Sequence, residues 1–243
     1  MKALIFDCDG VLVDTERDGH RVGFNLAFKE FGIDAEWSVE LYAKLLLVAG
    51  GKERMTAYFD EFGWPESKIA EYGGKDALIL ALHKSKTAIV SDLVGEGGLA
   101  LRSGISRIVD EAIAAGVRLG VCTTSNPKFI DKVLDLFGAD RKARFEFVHA
   151  GDVVSKKKPD PEIYELAKQT LGLPAHECMV IEDSRNGLLA ATGAGLPCLI
   201  TTSTYTVDEE FSEADRIVSE LGDAPDVQVT IEDLAALAAR HAD

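Results

Sequence analysis

No apolar run in these 243 residues approaches the roughly 20 needed to cross a bilayer. No basic region precedes an apolar stretch at the N-terminus, so a signal peptide is not expected. Basic residues are in short supply, with 26 Lys+Arg against 41 Asp+Glu and a net charge of −15. A nucleic-acid binder presents a basic face, so neither nucleic acid nor a membrane is an expected partner. An acidic chain can still take an anionic substrate, because a few cations and a metal reverse the sign inside a cleft. Repeats and low-complexity tracts are absent. Cysteine is scarce. Cys8, Cys122, Cys178 and Cys198 have no CxxC spacing, and all sit in or beside apolar runs. They read as small buried thiols in a reducing compartment. A cytoplasmic location follows, or an organelle form that has lost its transit peptide.

Hydrophobic residues make up 47% of the chain, enough for one large α/β domain or one domain carrying an insert. Short apolar runs at Ala3–Phe6, Arg118–Thr123, Phe145–His149, Cys178–Glu182, Pro197–Thr201 and Arg216–Val218 read as strands. Helical patterns lie between them at Gly104–Ala115, Pro127–Phe137, Asp160–Leu171, Ser184–Gly193 and Ile231–Arg240. Gly116, Gly138, Gly172 and Gly193 supply stop signals. This alternation predicts a doubly wound, mostly parallel sheet with helices on both faces. Residues 16–94 break it. Their apolar spacing is helical (Phe24, Phe28, Phe31; Leu41, Leu45, Val48; Ile79, Leu82, Ile89), which predicts a four- or five-helix insert. The expected domains are therefore a core of residues 1–15 and 95–243 and a helical domain of residues 16–94.

Ligands of open α/β sheets sit outside the carboxyl ends of the strands. Asp7 and Asp9 follow the first strand, in LIFDCDGVLVDTE. Thr123 closes the second, followed by Thr124, Ser125 and Asn126. Lys156, Lys157 and Lys158 follow the third, and Glu182–Asp183 end the fourth. Carboxylates, a hydroxyl and a lysine thus converge on one edge. Phosphoryl transfer needs such a set: a nucleophile, neutralised charge and an in-line leaving group. A carboxylate is ionised at neutral pH and can attack phosphorus, but it repels a phosphate dianion unless a magnesium ion is shared between them. Asp183 has a blander alternative, as the cap of the helix that follows it.

In that order DCDGVLVDT, TTSN, KKKPDP and IEDSRNG resemble the four motifs of the haloacid dehalogenase-like hydrolase superfamily. The resemblance covers essentially the whole chain. It implies a Rossmann-like core, a small helical cap in place of the insert, and Mg2+ as cofactor. Asp7 would be the nucleophile and Asp9 the acid and base. Thr123 would bind a phosphoryl oxygen, and Lys158, which precedes Pro159, would offset charge. Asp7, Asp9 (through its carbonyl), Asp183 and Glu182 would serve the metal.

Substrate choice is expected from the helical insert and from Thr124, Ser125, Asn126 and Lys128. In AGGKERM, Gly50 and Gly51 precede a helix start that supplies Lys52, Glu53 and Arg54, an arrangement suited to an anion. His83, Lys84 and Lys86 form a second basic cluster, and Glu16 is placed to hydrogen-bond sugar hydroxyls. One site for the leaving phosphate and one cationic site for another suit a sugar bisphosphate. The stretches DTERDGHR, FNLAF, GGKER and CTTSN resemble the Calvin-cycle branch of the superfamily, the xylulose-1,5-bisphosphate phosphatases. The expected partner is thus a small phosphorylated sugar, handled by a monomer. A β-phosphoglucomutase-type mutase would use the same four motifs. A phospho-aspartate receiver domain is a remoter alternative, since its acidic pair and acceptor come in the other order.

Overall fold

A computed structural model describes residues 1–48, 50–95 and 98–242. Ala49, which opens AGGKERM, lies outside them. Contacts divide the chain into two compact units, residues 1–14 with 100–243, and residues 15–99. Thr15, Gly98 and Leu99 fall with the helical unit, where the expected core had included them.

The larger unit is built on six parallel strands: β1 (Ala3–Phe6), β2 (Arg118–Thr123), β3 (Phe145–Ala150), β4 (Cys178–Glu182), β5 (Cys198–Thr201) and β6 (Arg216–Val218). Their order is β3-β2-β1-β4-β5-β6. Every pairing is parallel. All residues of β1 and β4 are buried, as central parallel strands covered on both faces must be. Ala3, Ile5, Cys178 and Val180 point into a core shared with Ile163, Tyr164 and Ala167 of α9 (Glu162–Leu171) and Leu188 and Ala191 of α10 (Arg185–Gly193). Leu4, Phe6, Met179 and Ile181 alternate to the opposite face. There α6 (Ile105–Ala114) packs on β2 and α11 (Ile231–Ala239) on β4. The remaining helices of this unit are α7 (Pro127–Asp135) and the one-turn α8 (Ala139–Lys142).

Local chemistry fixes several helix starts. Asn126 accepts the Lys128 N–H at 2.9 Å and Pro127 takes the first helical position, so α7 begins there. Thr230 and Asp233 close a capping box on α11. Ser184 caps α10 by accepting the Gly187 N–H at 3.2 Å, so capping is not the task of Asp183. Helix α10 runs on through Gly193 and ends at Ala194. All four cysteines are buried and free.

The helical unit holds a π-helical turn, Thr15–His20, and α1 (Arg21–Glu30), α2 (Val39–Leu45), α3 (Gly51–Phe62), α4 (Glu66–Tyr72) and α5 (Lys75–Gly95). Among its described residues there is no strand. Its core is aromatic: the Trp37 ring centre lies 4.6 Å from that of Phe24, tilted against it, and 5.1 Å from that of Phe28, edge to face. Among the described residues no helix is long and apolar enough to cross a membrane.

Candidate active site

The chain runs outward from β1 to β2 and β3, then returns to β4 on the other side of β1. That reversal is the switch point where an open sheet parts its loops. Asp7 still pairs with β4, its N–H bonding Ile181 O at 2.9 Å, so it sits level with the end of that strand. Glu182 and Asp183 stand opposite. Carboxylate oxygens of Asp7, Glu182 and Asp183 lie within 4.8 Å of one another, all three residues buried. Gly10 brings the first motif against them. Its φ is +77°, and a Cβ there would overlap the Asp183 carboxylate.

Lys158 bridges the group. Its Nζ donates to Asp7 Oδ1 at 2.6 Å, to Glu182 Oε1 at 2.5 Å and to Cys122 O at 2.9 Å. Lys156 and Lys157 stay exposed in the loop. Glu182 also accepts the Tyr164 hydroxyl at 2.5 Å and the Asp183 N–H at 3.2 Å. Tyr164 was not singled out from sequence; the available signal was a tyrosine on the apolar face of a helix, where a buried hydroxyl needs a partner.

Burial pushes the Asp7 carboxyl up to about 8; Lys158 pulls against this, and Glu182 and Asp9 add to it. Burial, then Asp7 and Glu182, raise Asp183 well above the usual range, opposed by a hydrogen bond from Ser203 and by the charge of Arg102. For Lys158 burial alone would lower the pKa, but the two carboxylates beside it reverse this and hold it charged. Three buried carboxyl groups face this one lysine, so ionising all of them would leave negative charge in surplus in a low dielectric. The donor set is entirely oxygen. Both facts fit a hard divalent cation.

Asp9 stands apart from that group. Its Oδ2 accepts the Ser125 hydroxyl and, at 3.5 Å, that of Thr123. The Ser125 N–H in turn donates to Thr123 Oγ1 at 3.1 Å. Thr124 and Lys128 are exposed, and the Asn126 side chain is engaged as the α7 cap.

Within the helical unit the expected cations are less available than their spacing implied. Arg54 is buried. Its guanidinium donates to Leu45 O at 3.1 Å, Val48 O at 3.4 Å and the Tyr42 hydroxyl at 2.8 Å, and Tyr42 donates to Glu16 Oε2 at 2.6 Å. Lys52 and Glu53 are exposed, and the Glu53 carboxylate folds back over Gly50, where a Cβ would strike it. The start of α3 thus carries its own anion. Lys86 is buried over the Phe24 ring, 4.8 Å from its centre, and its Nζ lies 3.0 Å from His20 Nδ1. Burial lowers Lys86 to about 8 against the pull of Glu16. His83 abuts Gly51, whose Cβ would lie 3.2 Å from its ring. Burial and then Lys86 and Lys52 hold His83 below its usual value. Lys84 is exposed.

The switch point of this parallel sheet thus gathers three buried carboxyl groups and a bridging lysine, an all-oxygen set of the kind found in enzymes that act on phosphate esters. The sequence model for haloacid dehalogenase-like hydrolases matches residues 1–195. The chain is 48% identical over 225 residues to a CBBY-like protein of Arabidopsis thaliana, spanning 92% of this chain and 70% of that one. It is 40% identical over 250 residues to the plasmid-borne protein CbbY of Cupriavidus necator, spanning 99% and 97%. A solved mutant of CbbY from Rhodobacter sphaeroides, in complex with xylulose-1,5-bisphosphate, superposes with a TM-score of 0.72 at 36% identity over 96% of this chain and 99% of that one. The chain belongs to the haloacid dehalogenase-like hydrolase family. It is an enzyme of the phosphatase kind, which sets aside the receiver-domain alternative.

Proposed function

We propose that this enzyme is a magnesium-dependent phosphatase that removes one phosphate from a small phosphorylated sugar, xylulose 1,5-bisphosphate, through an aspartyl-phosphate on Asp7. The observation that carries the reading is the buried set of Asp7, Glu182 and Asp183 bridged by Lys158. The choice of sugar is supported by the complex of the Rhodobacter sphaeroides relative, and with it a place in the Calvin cycle, clearing an inhibitor of Rubisco.

Lys158 fixes the rotation of the Asp7 carboxyl by holding Oδ1. Asp7 attacks phosphorus, and the bond from phosphorus to the sugar oxygen breaks. Asp9 gives that oxygen a proton, then takes one from the water that attacks the phosphorus of phospho-Asp7. Free phosphate leaves and Asp7 is restored. Thr123 and Ser125 would donate to phosphoryl oxygens once their hydroxyls turn from Asp9, and Thr124 would join them from the loop. Asp7, Asp183 and the Asp9 carbonyl would hold the ion, with Glu182, already saturated by three donors, supporting them from behind. When bound, the ion would supply charge neutralisation between nucleophile and phosphate. In the helical unit, Arg54, Lys86, His83 and Lys52 are the cations for a second phosphate, with Gly50, Gly51, Glu53 and Lys84 flanking them and Glu16 for sugar hydroxyls; in the larger unit, Asn126 and Lys128 would assist Thr123 with the phosphate being removed. The reading fits a monomer in a reducing compartment.

The test is a panel of sugar mono- and bisphosphates with magnesium, assayed for phosphate release by the wild-type chain and Asp7→Asn. We expect xylulose 1,5-bisphosphate to give the highest kcat/KM and Asp7→Asn to abolish release. Release by Asp7→Asn at near wild-type rate would end the covalent mechanism. An isomerised product with all phosphate retained would make the enzyme a mutase.

A further inference from the structure

Asp183 is cupped from two sides by backbone segments far apart in sequence. On one side, Gly10 packs against its carboxylate so closely that a Cβ has no room. On the other lies Ser203, whose side chain favours the ionised form of Asp183. Ser203 is itself 9% exposed and tied to Thr206 by bonds of 2.9 and 3.0 Å. Neither segment belongs to a strand. Something must hold them in register with the end of β4.

A single guanidinium reaches both. Arg102 Nη1 donates to the carbonyl of Gly10, and lies 3.3 Å from both O and Oγ1 of Thr201. Its Nη2 donates to Thr202 O and Ser219 O, each at 2.7 Å. Its own N–H bonds Leu12 O at 2.9 Å. The carbonyls it gathers are those of Gly10 itself and of Thr202, the neighbour of Ser203. A planar fork with fixed donors suits this task, and a lysine ammonium on a flexible stem does not.

We propose that Arg102 is a positioning residue that keeps the Gly10 and Ser203 segments clamped about Asp183, and that the divalent-ion affinity of the enzyme depends on this clamp. The inference rests on the metal reading above. It differs from a plain effect of positive charge, which also favours the ionised form of Asp183, and the two separate experimentally.

Magnesium binding to the full chain is measured by calorimetry without substrate, for wild type, Arg102→Lys, Arg102→Met and Asp183→Asn, with circular dichroism and a thermal melt on each. The clamp predicts at least a tenfold weaker dissociation constant for Arg102→Lys, although its charge is kept, and a loss no smaller for Arg102→Met. Asp183→Asn should bind no magnesium. Arg102→Lys binding within twofold of wild type would overturn the clamp, and it decides alone should Arg102→Met fail to fold. Wild type without measurable binding, or Asp183→Asn binding normally, would instead sink the metal reading and take this inference with it.

Discussion

Glu182 is completely buried, and three donors satisfy its carboxyl oxygens: Lys158, Tyr164 and the Asp183 N–H. Tyr164→Phe removes one of these and adds no compensating group. A lost hydrogen bond to a charged acceptor costs about 1.5–3 kcal/mol, which for a chain of this size lowers the melting temperature by roughly 2–4 °C per kcal/mol. Lys158 would then be held by a less constrained carboxylate, so kcat should fall more than KM rises. Thermal melts and steady-state kinetics check both, and a Tyr164→Phe enzyme equal to wild type in the two would show the phenol to be idle. At this scale the cluster of Asp7, Glu182, Asp183 and Lys158 was legible because each member follows a strand end at motif spacing. Tyr164 was not, since its meaning comes from Glu182, 18 positions away, and from sequence it is one more core residue of α9.

Elements were legible in proportion to how repetitive their environment is. β1, β2 and β4 fall where continuous apolar runs placed them, because a covered parallel sheet demands such runs. The helical unit was legible as helical but not in its packing. Trp37 lies in the turn between α1 and α2, outside any periodic pattern, yet it anchors the aromatic core and Asn25 binds its backbone at 2.8 and 3.0 Å. The loop between α2 and α3 shows the same limit. Its spacing suggested an open anion site; the structure makes Arg54 the strut that satisfies the carbonyls of Leu45 and Val48. Arg54→Met should therefore do two things. Leaving such buried groups unpaired costs about 1–3 kcal/mol each, so a melt will shift downward. KM for a bisphosphate should rise several-fold more than KM for a monophosphate, because one of the cations proposed for the second phosphate is lost. Equal rises for the two substrates would confine Arg54 to holding the loop.

Across the whole molecule, a net charge of −15 meets a buried acidic centre, and the two bear on stability together. The ordinary value for Asp7 is 3.8, and burial lifts it to about 8 in the folded chain. The metal-free folded state therefore keeps a proton that the unfolded chain gives up. The stability this contributes is complete below about pH 4 and drains away as pH rises to about 8. Asp183 is raised as well and acts in the same direction. A divalent ion takes the place of the protons, so it should stabilise most where they are lost. At a concentration of 100 times its dissociation constant a ligand adds about 2.7 kcal/mol, or roughly 5–11 °C for a chain of this length. Melting curves with magnesium or a chelator, taken near pH 5 and near pH 8, should show the larger magnesium shift at the higher pH. The chelated protein should lose melting temperature across that window more steeply than chelated Asp7→Asn, which has no proton to give up at that position. A magnesium shift of the same size at both pH values would mean that the acidic centre is already balanced within the chain, and that the ion is not what its buried charge is built to receive.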